Sequence, residues 1–133
     1  MIDGTRHEAR ERAVNLLYEA DIKNVAVAEI IHSLSIPLEA YTDVLIAEVE
    51  KNHEAIDKQI ELASQDWSIE RMPIIDRNVL RIATAELLTQ HDVPTAVIID
   101  EAVELVKQFS TEDSNRFING VLSAVASEVR TAQ

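Results

Sequence analysis

The chain has 133 residues, a formal net charge of −12, no cysteine, two glycines and three prolines. Its length suits one domain that buries roughly two-thirds of the surface its unfolded chain exposes, and without cysteine it has neither disulfides nor thiolate metal sites. Turn residues are too few for an all-β fold, the first thirty residues lack the apolar stretch of a signal peptide, and no apolar run spans a bilayer, so a soluble, cytoplasmic, all-α protein is expected.

After four residues expected to fray, Thr5 is a cap candidate for a first helix that turns Ala9, Ala13, Leu16, Leu17 and Ala20 toward a core, with Arg6, His7, Arg10 and, near its edge, Tyr18 on the other face. Asn24 ends it. Residues 25–34 read as a second helix, apolar at Val27, Ile30, Ile31 and Leu34, which Pro37 breaks. A third, over residues 38–53, carries Tyr41, Leu45, Ile46 and Val49 inward. The fourth places Ile56, Ile60, Ala63 and Trp67 on one stripe, making Trp67 a core anchor in preference to a stacking platform.

Residues 68–73 connect to a fifth helix that opens near Pro73 and is apolar at Ile75, Val79, Ile82, Ala83 and Leu87. Arg81 lies among those apolar residues and requires a carboxylate if buried; Glu101 is the expected partner. Pro94 opens a sixth helix with Ile98, Ala102, Leu105 and Phe109 on one face, and Ser110 or Thr111 can cap a seventh, striped by Ile118, Val121, Leu122, Val125 and Val129. Asn119-Gly120 would ordinarily mark a hairpin, but the flanking helical period places it inside this helix. Close approach by another helix or a ligand is the expected compensation for the glycine, with packing favoured. The tail from Arg130 is expected to fray. The map is about seven helices in one compact unit, dividing near Trp67.

The net charge argues against a protein that wraps nucleic acid by itself and suits a basic partner, although a solvated helical surface explains it equally well. Arg6, His7 and Arg10 form the one basic cluster, at a helix N-terminus where cations oppose the dipole. Phosphate binding and a salt-bridged solvated face are both open readings. Catalytic patterns are missing: His7-Glu8 and His53-Glu54 begin like a zinc HExxH, but Glu11 and Asp57 stand where the second histidine belongs. No phosphate loop or nucleophile-elbow serine is present, so neither a cofactor nor a metal is expected.

Residues 94–122 carry Pro94, Val97, Ile99, Glu101-Ala102-Val103-Glu104-Leu105, Lys107, Phe109, Asp113-Ser114, Phe117 and Asn119-Gly120-Val121-Leu122. This pattern resembles the C-terminal signature of the NusB family of bacterial transcription antitermination factors. The segments IDRNVLRIATAELL, residues 75–88, and ARERAVNLLYEAD, residues 9–21, are similar to two further blocks of that family, in the same order. Asp100 replaces the asparagine common before Glu101, and the N-terminal segment is poorer in arginine than the family pattern.

The resemblance implies an all-helical fold of two perpendicular sub-bundles and a binding function without catalysis: boxA RNA held jointly with the small-subunit ribosomal protein NusE, for read-through by the RNA polymerase elongation complex in ribosomal RNA operons. Carried over, the RNA-proximal positions are Arg6, His7, Arg10, Asp113 and Phe117, and those near NusE are Tyr18, Arg81 and Glu86, where Glu86 would meet a cation directly. Phe117 as plain core and Arg81 as a structural pair are the competing readings. About three phosphate-contacting cations would give single-stranded RNA binding a salt slope near −2. A homodimeric adaptor without RNA specificity is the alternative. A methyltransferase is disfavoured because no cofactor-binding domain follows before Gln133.

Overall fold

The computed structural model describes the backbone of residues 2–109 and 111–130 and the side chains of residues 6–109 and 111–130. Those residues form seven α-helices: α1 (Ile2–Lys23), α2 (Val27–His32), α3 (Ala40–Lys51), α4 (His53–Ala63), α5 (Ile74–Thr89), α6 (Thr95–Phe109) and α7 (Glu112–Val129), with a 3-10 turn at Ile69–Arg71 and no strand. The all-helical expectation holds. The apolar stripes read from the sequence supply a continuous core that includes Leu16, Leu45, Ile60, Leu80, Leu87, Ile98 and Leu122. α5 is the hub, packing against α1, α3, α4, α6 and α7, which is why ten of its residues are buried, polar ones among them.

Helix ends follow local chemistry. Asn24 adopts a left-handed φ of 56°, and Val25 N–H bonds back to Ala20 O at 3.0 Å, the closing pattern of a helix C-terminus that asparagine tolerates. Thr111 caps α7, its hydroxyl accepting from Ser114 N–H at 3.3 Å; the alternative cap, Ser110, lies outside the described residues. Pro73 immediately precedes α5, and Thr42 pins α3 to α1 by donating to Ala9 O at 3.0 Å.

Several expectations need correction. Helix α1 begins at Ile2, so Thr5 lies inside the helix and does not cap it. Helix α4 stops at Ala63, and Gln65 and Asp66 follow with left-handed φ of 58° and 65°, which swing Trp67 off the apolar stripe and leave it 42% exposed. Phe109, expected inward, is 47% exposed at the end of α6. Arg130, expected to fray, is buried: its guanidinium donates to the carbonyls of Glu86, Leu87, Gln90 and Val93 at 2.7 to 3.2 Å and to Thr95 Oγ1 at 3.1 Å. It gathers the carbonyls at the end of α5 and in the loop to α6, two of which, those of Glu86 and Gln90, also accept main-chain bonds from Gln90 and Val93. The rest of the tail, residues 131–133, lies outside the described residues.

Gly120 is inside α7, as the helical period predicted. The packing reason does not hold: a Cβ added there would meet no atom within 4 Å. A helical glycine in open space costs about 1 kcal/mol relative to alanine. Gly120→Ala should therefore raise stability by about that amount, read as a higher urea midpoint at unchanged m-value.

Candidate RNA and partner interface

The sequence-predicted residues fall into three groups. The first is built where α1 crosses α5 and α6. Arg10 lies on the same face of α1 as Ala13 and Leu17, at helical spacings of three and seven, and is 3% exposed. This corrects its placement on the solvent face. Its Nε and Nη2 donate to the two carboxylate oxygens of Glu86, both at 2.8 Å, and Nη1 donates to Glu101 Oε1 at 3.1 Å. Tyr41 adds an O–H bond to Glu86 Oε2 at 2.6 Å. Glu86 is itself 1% exposed, so the cation it meets directly is Arg10 of its own chain, and it presents no carboxylate to the surface.

Burial alone would lower the Arg10 pKa, but the bonds and charge of Glu86 outweigh it and hold the guanidinium above its ordinary value. Burial, followed by the same carboxylate, pushes the Tyr41 phenol up. The cluster is therefore a charged Arg10 guanidinium held in a bidentate grip by Glu86, with a neutral phenol bonded to the same carboxyl group. Outward of it, His7 Nδ1 lies 2.8 Å from Glu101 Oε1. Arg6 lies over the Tyr41 ring at 4.7 Å, and Asp92 approaches it at 4.0 Å. A cleft of about 360 Å³ opens here between the starts of α1 and α6, with Arg6, Arg10, Pro94 and Glu101 in its wall. Arg6 is the member of the basic cluster whose charge faces out.

The second group lies at the start of α7. Asp113 is exposed and pairs with Arg116 one turn on. Phe117 is half-buried against the core and meets the Trp67 ring edge-to-face, centroids 5.1 Å apart at 73°. Ser114 donates to Asp76 Oδ2 at 3.0 Å, tying this helix start to the first turn of α5, and burial of the Asp76 carboxyl raises its pKa. Asp113, Phe117 and Gly120 follow at spacings of four and three, one stripe of the helix. Sequence reasoning missed Trp67 here.

The third group surrounds Asp21. Arg81 does not pair with Glu101. Its Nε and Nη2 grip both oxygens of Asp57 at 3.0 and 3.1 Å, and Nη1 approaches Asp21 at 3.7 Å. Arg77 and Asn78 also donate to Asp21 Oδ2, at 3.2 and 2.9 Å. The structural pairing of Arg81 therefore stands, with a partner four residues after His53 on α4. Tyr18 is 37% exposed, and Ile22, one turn further along α1, is 55% exposed. Such an i, i+4 pair of exposed apolar side chains was visible in the sequence as two apolar residues off the core stripe.

The model of the NusB family matches residues 7–127. The chain belongs to the NusB family. A relative in Thermobifida fusca (strain YX), named as transcription antitermination protein NusB, is 42% identical over 124 residues, which cover 90% of this chain and 87% of that protein. The solved structure of "T. maritima NusB" superposes with a TM-score of 0.83 at 32% identity, covering 92% of this chain and 91% of that one. A crystal structure of the antitermination factors NusB and NusE in complex with double-stranded RNA superposes with a TM-score of 0.77 at 28% identity, covering 92% and 96%. The fold is accordingly the all-α NusB fold, and the matched relatives bear the name of a transcription factor and not of an enzyme. Among the described residues, no helix is long and apolar enough to cross a membrane.

Proposed function

We propose that this chain is a cytoplasmic transcription antitermination factor that binds boxA RNA as a heterodimer with NusE. It acts without cofactor as one NusB-like domain, in the RNA polymerase elongation complex on ribosomal RNA operons. Membership of the NusB family across residues 7–127 carries the reading, and the similar NusB that was solved with NusE and RNA supports it.

On this reading the RNA side uses Arg6, Asp113 and Phe117. His7 is available through its contact with Glu101, and Arg10 acts from within by fixing α1 against α5. Tyr18 and its neighbour Ile22 offer the apolar step for NusE, with Arg81 approaching Asp21 beside it; Glu86, buried with Arg10, acts there only by fixing α1 on α5. Since Arg10 faces inward, the two RNA groups carry two outward arginines, Arg6 in the first and Arg116 in the second. Two neutralised phosphates give a salt slope of about −1.4, shallower than the sequence suggested and too weak for tight binding alone.

The test is fluorescence anisotropy of a short boxA RNA and its scrambled version, with this protein, with NusE and with the mixture, at two salt concentrations. The mixture should bind boxA more tightly than either protein and discriminate against the scrambled strand. Phe117→Ala in the mixture should lose about 5- to 100-fold in affinity if the ring stacks on a base. Equal binding of both strands by the mixture removes the RNA function. The exposed Tyr18–Ile22 step also suits a homodimer, which NusE would dissolve on size-exclusion with light scattering.

A further inference from the structure

We propose that Trp67 is a second nucleobase-stacking residue, forming with Phe117 a two-ring platform for one unstacked RNA base. The proposal rests on the RNA reading above. A tryptophan following a helix usually completes the core; here the two left-handed residues Gln65 and Asp66 turn it outward. The bend is held firmly, by Asp66 N–H to Glu61 O at 2.7 Å, Ser64 Oγ to Trp67 O at 3.3 Å and Ile69 N–H to Glu61 Oε2 at 3.0 Å. The indole is therefore presented in a fixed place, at 42% exposure.

Its contact with Phe117 is edge-to-face; with Phe117 half-buried against the core, the exposed part of the indole offers the stacking surface and the Phe117 ring flanks it. Phe117 is the residue assigned to RNA, so Trp67 extends that surface without a gap. The neighbouring Arg116 guanidinium is exposed and held only by Asp113 on the surface. Such pairs are weak, so a phosphate can take the place of the carboxylate. Aromatic rings beside a labile cation suit a single-stranded nucleic acid, whose bases offer π faces and whose backbone offers charge.

Trp67 is the single tryptophan of the chain, so its fluorescence reports on itself. Wild type and Trp67→Phe, each mixed with NusE, are titrated with labelled boxA RNA. Anisotropy reads binding, and the emission difference between the two proteins isolates Trp67. Quenching of Trp67 in step with binding is expected, together with about a 5- to 100-fold affinity loss in Trp67→Ala and near-normal binding in Trp67→Phe. Circular dichroism on Trp67→Ala verifies its fold. RNA binding with unchanged Trp67 emission and a fully active Trp67→Ala overturns the platform while leaving the RNA reading intact. A change produced by NusE alone, with no further change on adding RNA, assigns Trp67 to the protein partner and also overturns it. Absence of RNA binding in the wild-type mixture overturns both.

Discussion

Replacing Arg10 by alanine should destabilise the protein by about 3–5 kcal/mol, the cost of leaving one member of a buried ion pair without the other. Glu86 is 1% exposed and is held by three hydrogen bonds, two from Arg10 and one from Tyr41. With the guanidinium gone, its carboxylate either remains charged in an apolar site or takes up a proton, and both are unfavourable near neutral pH. Removing the pair together is a different matter, because two apolar side chains of similar volume need no charge partner. Arg10→Met combined with Glu86→Leu should recover most of the loss, although Tyr41 then lacks its acceptor. Urea unfolding of the two single variants and the double variant measures the coupling. Simple additivity would mean that the Arg10–Glu86 pair does not hold α1 to α5.

Arg130→Ala should cost about 3 kcal/mol, since hydrogen bonds from charged donors contribute more than neutral ones and buried acceptors are left unmet. One planar guanidinium reaches four main-chain carbonyls and the Thr95 hydroxyl. A cation beside the C-terminal end of α5 also meets the negative end of its dipole. Arg130→Lys should recover only part of the loss, because a three-donor ammonium lacks the spread of the fork. Thermal unfolding gives the magnitude, and hydrogen exchange should localise the loosening to the end of α5 and the loop to α6. If Arg130→Lys matched the wild type, charge alone would explain the contact.

These two arginines also mark where the sequence was readable and where it was not. Helices α6 and α7 announce themselves through apolar spacing, a proline before one and Thr111 before the other, because those signals are local. Residue type alone puts Arg10 toward solvent, although it shares a stripe with Ala13 and Leu17. Glu86 likewise sits one turn from Ile82. Opposite charges on two apolar stripes are a recognisable sign of a buried pair, but which stripes meet is a tertiary fact separated by 76 residues. Arg81 posed the same problem: Glu101 is the partner the sequence suggests, and the packing of α4 on α5 supplies Asp57 instead. Arg130 was less legible still, since its partners are backbone carbonyls, which every residue possesses. Trp67 failed for a local reason: Gln65 and Asp66 carry none of the glycine that ordinarily announces a left-handed bend.

Arg10, Arg77 and Arg81 are each tied to a carboxylate and Arg130 to main-chain carbonyls, so none of the four is free to meet a phosphate on a chain whose net charge is −12. Their engagement bears on the timing of encounter. A long-range field of this sign slows the approach of an RNA strand and accelerates that of a basic protein, and both effects fade with salt. On the proposed function, assembly would be ordered by rate: the ribosomal protein docks first and reverses the local field, and the RNA then arrives on a surface that neither protein presents alone.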